Sequence, residues 1–180
     1  MSIKFDFSLV AEDSKARAGL LRTAHGNIET PIFMPVGTLG TVKAMHLKDV
    51  LELGSQIILG NTYHLYLRPG QEVIKKFGGL RSFINWEKPI LTDSGGFQIM
   101  SLSKLTKVTD KGVYFQSHLD GKKLFLTPEI STQFQHILGS TITMQLDECI
   151  KYPASRKNAE NSTNLSCLLY TSDAADDCVC

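Results

Sequence analysis

Pro89-Ile-Leu-Thr92 running into Asp93-Ser-Gly-Gly-Phe97 is an apolar run of strand length that breaks into a small, polar, glycine-bearing turn. The same arrangement recurs along the chain. Thr30-Pro-Ile-Phe-Met-Pro-Val36 ends at Gly37-Thr38, Ser55-Gln-Ile-Ile-Leu59 at Gly60-Asn61-Thr62, and Thr141-Ile-Thr-Met-Gln-Leu146 at Asp147-Glu148-Cys149. Helical patterns lie between these runs. Leu47, Val50 and Leu51 share one face before a stop at Gly54, and residues 71–77 turn Val73, Ile74 and Phe77 inward before Gly78-Gly79. A third helix is capped by Thr127, starts at Pro128, carries Ile130, Phe134, Ile137 and Leu138 as its apolar stripe, and ends at Gly139. A last helix is expected near Pro153. Strands alternating with helices predict a parallel sheet with right-handed crossovers, and near-continuous apolar strands suit a sheet covered on both faces. Residues 108–126 instead alternate around an Asp120-Gly121 turn and predict a β-hairpin.

The first strand is not followed by G-x-G-x-x-G, which disfavours a dinucleotide-binding fold. A (β/α)8 TIM barrel fits better. That fold takes about 250 residues, so four βα units in 180 residues amount to half a barrel. The expected class is therefore α/β, the first half of a TIM barrel with a hairpin insertion.

Composition narrows the function classes. With 42% hydrophobic and 21% charged residues, 14 Gly and 6 Pro, the chain is neither collagen-like, coiled-coil nor largely disordered. Its apolar runs fall far short of the roughly 18 residues of a membrane span, and Asp6 interrupts any secretory leader. A cytoplasmic protein without a membrane partner is expected. Three of the 18 acids (Asp173, Asp176, Asp177) lie in residues 167–180, which hold no Lys or Arg, leaving residues 1–166 mildly basic. Three of the 4 cysteines (Cys167, Cys178, Cys180) share that tail. Cys149 stands alone in the body, which argues against a disulfide framework there and for a reducing compartment.

In a βα barrel the chemistry sits on loops after the strands. Here those loops carry two carboxylates, Asp93 and Asp147. Paired acids suit glycosidic chemistry, and a carboxylate also matches the ring N–H and exocyclic amine on one edge of guanine. Gly95 and Gly96 would let backbone approach a planar ligand, and Phe97 would supply a stacking face. Each acid has an ordinary reading as well: Asp at a strand end serves as a cap or Asx turn, and Asp-Glu suits a helix N-terminus. His64 reads as a structural histidine and Cys149 as a partly buried thiol, since no base is adjacent. The histidines 25, 46, 118 and 136 are scattered, and Cys178-Val-Cys180 is too short for a tetrahedral site. Lys104, Lys107, Lys111, Lys122 and Lys123 outweigh Asp110 and Asp120 and make the hairpin basic; a solvated surface and a phosphate contact both fit. Trp86 reads as a core or rim anchor.

Taken together, the motifs resemble the tRNA-guanine transglycosylase (queuine tRNA-ribosyltransferase) family. The resemblance rests on Asn61-Thr-Tyr-His-Leu-Tyr-Leu-Arg-Pro-Gly70, Ile90-Leu-Thr-Asp-Ser-Gly-Gly-Phe-Gln98, and Met144-Gln-Leu-Asp-Glu-Cys149 with Tyr152-Pro-Ala154. Gly37-Thr38 and Thr41-Val-Lys43 look similar too, and the match spans most of residues 1–166 in order. It implies a TIM barrel that exchanges the wobble guanine in the tRNA anticodon loop for a 7-deazaguanine, the queuosine precursor, through a covalent glycosyl-enzyme. By resemblance, Asp93 is the proton acceptor and part of the base pocket, with Ser94, Gly95, Gly96 and Phe97 completing it. Asp147 holds the guanine edge. No nucleotide cofactor is implied.

The resemblance also implies features that lie beyond residue 180: a nucleophilic Asp and a structural zinc on three Cys and one His, absent from this chain. Family members form dimers, and Cys149 with Tyr152-Pro-Ala154 looks more bacterial than archaeal in type. On this reading residues 1–166 are the N-terminal part of the barrel and 167–180 a tail unlike the family, expected from a frameshifted or chimeric frame. Such a chain is expected to be inert alone. The alternative is a non-catalytic partner subunit or RNA-binding module.

Overall fold

The computed structural model describes residues 5–102 and 105–174. Its frame is a four-stranded parallel sheet of β4 (Val36–Gly37), β5 (Ile58–Gly60), β6 (Ile90–Thr92) and β10 (Ile142–Thr143), laid side by side in chain order. A doubly wound sheet reverses its strand order at a switch point. This sheet does not: each strand is followed by helical crossover and returns beside its predecessor. The crossovers carry α1 (Leu47–Glu52), α2 (Thr62–Leu67), α3 (Gln71–Lys76), α4 (Leu80–Ile84), α5 (Gly96–Leu102) and α6 (Pro128–Leu138), and α7 (Arg156–Ala174) follows β10. The sheet is open, with β4 and β10 at its edges.

Two antiparallel meanders flank it. The first, β1 (Asp6–Asp13), β2 (Ala16–Thr23) and β3 (Gly26–Thr30), has no counterpart in the sequence reading. The second interrupts the β6–α6 crossover. It is not a hairpin but three strands, β7 (Thr106–Thr109), β8 (Gly112–Gln116) and β9 (Lys123–Leu126), because a tight turn at Asp110-Lys111 adds a strand before the Asp120-Gly121 turn.

One face of the parallel sheet is fully packed. Val50, Ile58, Leu65, Ile74, Leu80, Trp86, Ile90, Phe134 and Leu138 form one buried cluster beneath α1–α4 and α6. Trp86 is its anchor, with the indole N–H donating to the Pro89 carbonyl at 3.1 Å. The opposite face is not covered as expected: Leu59 and Leu91 are only half-buried, and Val36 is 48% exposed. A second cluster joins Tyr63, Ile99, Val113, Phe115, Leu126, Leu146 and Leu169, seating the second meander against α5 and α7.

Two further expectations change. The run from Thr30 to Val36 is strand only at its two ends, where Thr30 closes β3 and Val36 opens β4, since Pro31 and Pro35 lack the N–H a ladder needs, and Phe33 is 78% exposed. In α3 only Ile74 is buried; Phe77 lies outside, edge-on to Phe83. The capped helix is as read: Thr127 accepts from the Ile130 N–H, Pro128 opens α6, and Gly139 closes it at φ +68°. Lys104 and the Cys178-Val-Cys180 pair lie outside the described residues.

Candidate functional site

The C-terminal ends of β6 and β10 meet over one groove. Asp93, Ser94, Gly95, Phe97 and Gln98 line it from the β6 side and Thr143, Met144, Gln145, Asp147 and Cys149 from the β10 side, around a space of about 470 Å³. The two carboxylates singled out in the sequence therefore share one concavity, together with the Phe97 ring, which is 58% exposed at its lip.

Asp93 is held from three directions. Its Oδ1 accepts from the Thr62 N–H at 2.8 Å, and its Oδ2 accepts from Asn61 Nδ2 at 2.5 Å and Gln98 Nε2 at 2.9 Å. The Thr62 hydroxyl donates to the Asp93 carbonyl. The carboxylate thus satisfies the first amide of α2, a helix start on the neighbouring strand, where the positive end of the dipole favours an anion. The local cap falls instead to Ser94, whose Oγ accepts from the Gly96 N–H at 3.2 Å.

Ser94 also links the two acids' loops, donating to Asp147 Oδ1 at 3.0 Å. The approach is close enough to require glycine: a Cβ on Gly96 would lie 2.6 Å from the Asp147 carbonyl oxygen. At Gly95, φ is +87° and a Cβ would meet the Tyr63 backbone N at 3.3 Å.

Side chains that the sequence reading passed over fix these loops. Gln135, buried on α6, accepts from the Thr92 hydroxyl at 2.8 Å and the Met144 N–H at 2.9 Å, and donates to the Met144 carbonyl at 2.9 Å. Ser131, one turn earlier, donates to the Ser94 carbonyl at 3.0 Å. On α7, Ser162 donates to the Glu148 carbonyl and Ser166 accepts the Glu148 N–H. The available signal was a polar pair, Ser131 and Gln135, spaced i,i+4 on the same side of the helix as the apolar Phe134 and Leu138. Gln98 was missed as well: its Oε1 is buried with no partner in the structure, beside Asp93.

Around the groove, burial and the Asp147 charge push the Cys149 thiol up to about 11, and its Sγ donates to Asp147 Oδ2 at 3.4 Å. Cys149 is therefore a thiol, not a thiolate, at neutral pH. Burial, then His118, pull His64 below its ordinary value against the opposing pull of Asp93, leaving a neutral ring at pH 7. His118 Nδ1 meets the Tyr63 hydroxyl at 2.7 Å, and His25 meets Thr141 at 2.6 Å. Among the described residues no group of three or more His, Cys, Asp or Glu is arranged to hold a metal ion.

The sequence profile of one family, Queuine tRNA-ribosyltransferase, matches residues 12–177. The chain belongs to that family. Among curated relatives, the queuine tRNA-ribosyltransferase of Rickettsia bellii (strain RML369-C) is 61% identical over 163 residues, 91% of this chain and 45% of that protein. Those of Rickettsia typhi and Rickettsia prowazekii are 60% and 58% identical over the same share of each chain. The chain thus spans about half the length of the queuine tRNA-ribosyltransferases it matches. Helix α7 crosses residues 166 and 167 without a break. Among the described residues no helix is long and apolar enough to cross a membrane.

Proposed function

We propose that this chain carries the base-recognition part of a tRNA-guanine transglycosylase, an enzyme that exchanges the wobble guanine in the anticodon loop of tRNA for a 7-deazaguanine. The observation that carries the reading is the single groove shared by Asp93 and Asp147 at the ends of neighbouring parallel strands. Asp147 keeps acceptor capacity beyond its contacts with Ser94 and Cys149, and takes the ring N–H and exocyclic amine of guanine as a parallel pair. Phe97 covers one face of the ring. The unpartnered Gln98 Oε1 supports a ligand with an N–H on the Asp93 side, since buried acceptors are ordinarily satisfied.

In the exchange, a carboxylate attacks the ribose anomeric carbon as the glycosidic bond breaks and guanine leaves with a proton on its ring nitrogen; the incoming base then attacks the adduct, freeing the carboxylate, while its own ring proton passes to Asp93. One glycosidic bond replaces another, so no nucleotide cofactor enters. Asp93 and Asp147, the groove's two carboxylates, are thereby occupied. By resemblance to the family, the attacking acid belongs to a part of the longer enzyme outside this stretch, and we read these 180 residues as binding the base without turning over. The described sheet is read as the first half of a (β/α)8 barrel, with half-buried Leu59 and Leu91 on the face that further strands would close.

Isothermal titration of the purified chain with guanine tests the reading. Guanine binds, and Asp147→Asn, which puts a donor against the base's own N–H groups, weakens it roughly 10- to 100-fold, as expected for hydrogen bonds to a charged group. Equal affinity in the two proteins would remove Asp147 from recognition.

A further inference from the structure

The second meander has one face in the core and one in solvent. Val113, Phe115 and Leu126 point into the second buried cluster. The register then fixes what shares the other face: Lys107 opposes Tyr114, Tyr114 opposes Phe125, and in the next row Gln116 opposes Lys123. The solvent face of a small antiparallel sheet is ordinarily polar. This one holds two aromatic rings stacked at 4.1 Å and 22°, with Tyr114 50% exposed. An apolar hollow of about 280 Å³ takes Lys107, Tyr114, Gln116 and Lys123 from this face and Thr106, Phe115 and Leu124 from the core face.

The charge on this face has one sign. Lys107 and Lys123 stand on the two outer strands, and none of the hollow's lining residues is acidic. Asp110 and Asp120 sit in the turns, where Asp120 already accepts from the Lys122 N–H at 3.2 Å. Cross-strand aromatic pairs stabilise sheets without any ligand. That role accounts for the ring pair but not for the cations at both flanks. An aromatic platform between cations matches the chemistry of a single-stranded nucleic acid: bases have faces to stack, phosphates need lysines, and sequence is not read. The meander also borders the groove, because Thr106, Val108, Gly112 and Val113 line a hollow that Asp147 and Cys149 close from the other side.

We propose that the outer face of this meander is a single-stranded RNA contact, in which an unpaired base extends the Tyr114–Phe125 stack and Lys107 and Lys123 take neighbouring phosphates. The natural source of the RNA rests on the transglycosylase reading; the surface itself does not. The full chain is titrated against a fluorescein-labelled RNA hairpin with an unpaired loop, and against a fully paired duplex of equal length, across a salt series. The hairpin binds more tightly than the duplex. Tyr114→Ala weakens it roughly tenfold with the salt slope unchanged, and Tyr114→Phe binds as the parent does. Lys107→Ala with Lys123→Ala lowers the salt slope by about two. A 4-thiouridine in the loop cross-links to the tryptic peptide of residues 112–122.

Parental affinity in Tyr114→Ala, a parental salt slope in the Lys107→Ala, Lys123→Ala double variant, equal binding of duplex and hairpin, or cross-links confined to other peptides would overturn the proposal. The exposed lysine pair and the conservative Phe variant keep the test valid if Tyr114→Ala loosens the sheet. Guanine titration reads the groove alone. Tyr114-dependent RNA binding without guanine binding would sink the groove reading and leave this one standing; the reverse outcome would do the opposite.

Discussion

At the scale of single residues, the two acids differ in how they are held. Asp93 has backbone and amide donors on both oxygens, so its position is set by Asn61, Thr62 and Gln98. Asp147 is more open and owes its place to Ser94, to the loop pinned by α7, and to the absence of a side chain on Gly96. Gly96→Ala tests that last dependence. A methyl 2.6 Å from the Asp147 carbonyl must push backbone, not a flexible chain end, and overpacking of this kind costs about 1–3 kcal/mol. The expected result is a folded protein by circular dichroism whose guanine affinity falls at least about tenfold. Unchanged affinity would show that the Asp147 loop is free to move. The acids were legible in the sequence because strand-end carboxylates followed by glycines form a local pattern. Gln135, Ser131, Ser162 and Ser166 were not, because their partners lie on other elements and only the fold brings them together.

Among the elements, α6 does the most to position the site. It buries Phe134 and Leu138 in the main core while Ser131 and Gln135 tie down the ends of β6 and β10. Its N-terminus is fixed by the Thr127 hydroxyl, which accepts from the Ile130 amide at 3.2 Å. Thr127→Ala removes that acceptor at a cost of about 1 kcal/mol, lowering the thermal midpoint by roughly 2–4 °C for a chain of this length; calorimetry measures it, and no shift would mean that water replaces the cap. α6 was readable because every signal agrees, from Thr-Pro at the start to Gly at the end. The first meander was missed. Phe5, Phe7 and Leu9 do alternate with Asp6 and Ser8, a strand pattern that the reading passed over, yet their side chains are exposed. α5 was hidden behind Gly96, a residue that reads as a loop until Ser94 is seen capping it.

For the whole molecule, strand order decides the class. Four parallel strands in unbroken chain order put every strand-end loop on one side, which is why residues more than 50 apart in sequence, Asp93 and Asp147, face one groove. The alternation of apolar run, glycine turn and helix made this visible without coordinates, whereas the incompletely covered face of the sheet was not, since apolar strands look alike whether or not a second layer lies over them. The central claim is that a purine ring lies between Asp93, Phe97 and Asp147. A crystal structure of the chain soaked with guanine tests it most directly. The account predicts the ring's N1 and exocyclic amine within hydrogen-bonding distance of the Asp147 carboxylate, with Phe97 against one face. Guanine bound elsewhere on the molecule, with this groove left empty, would contradict it.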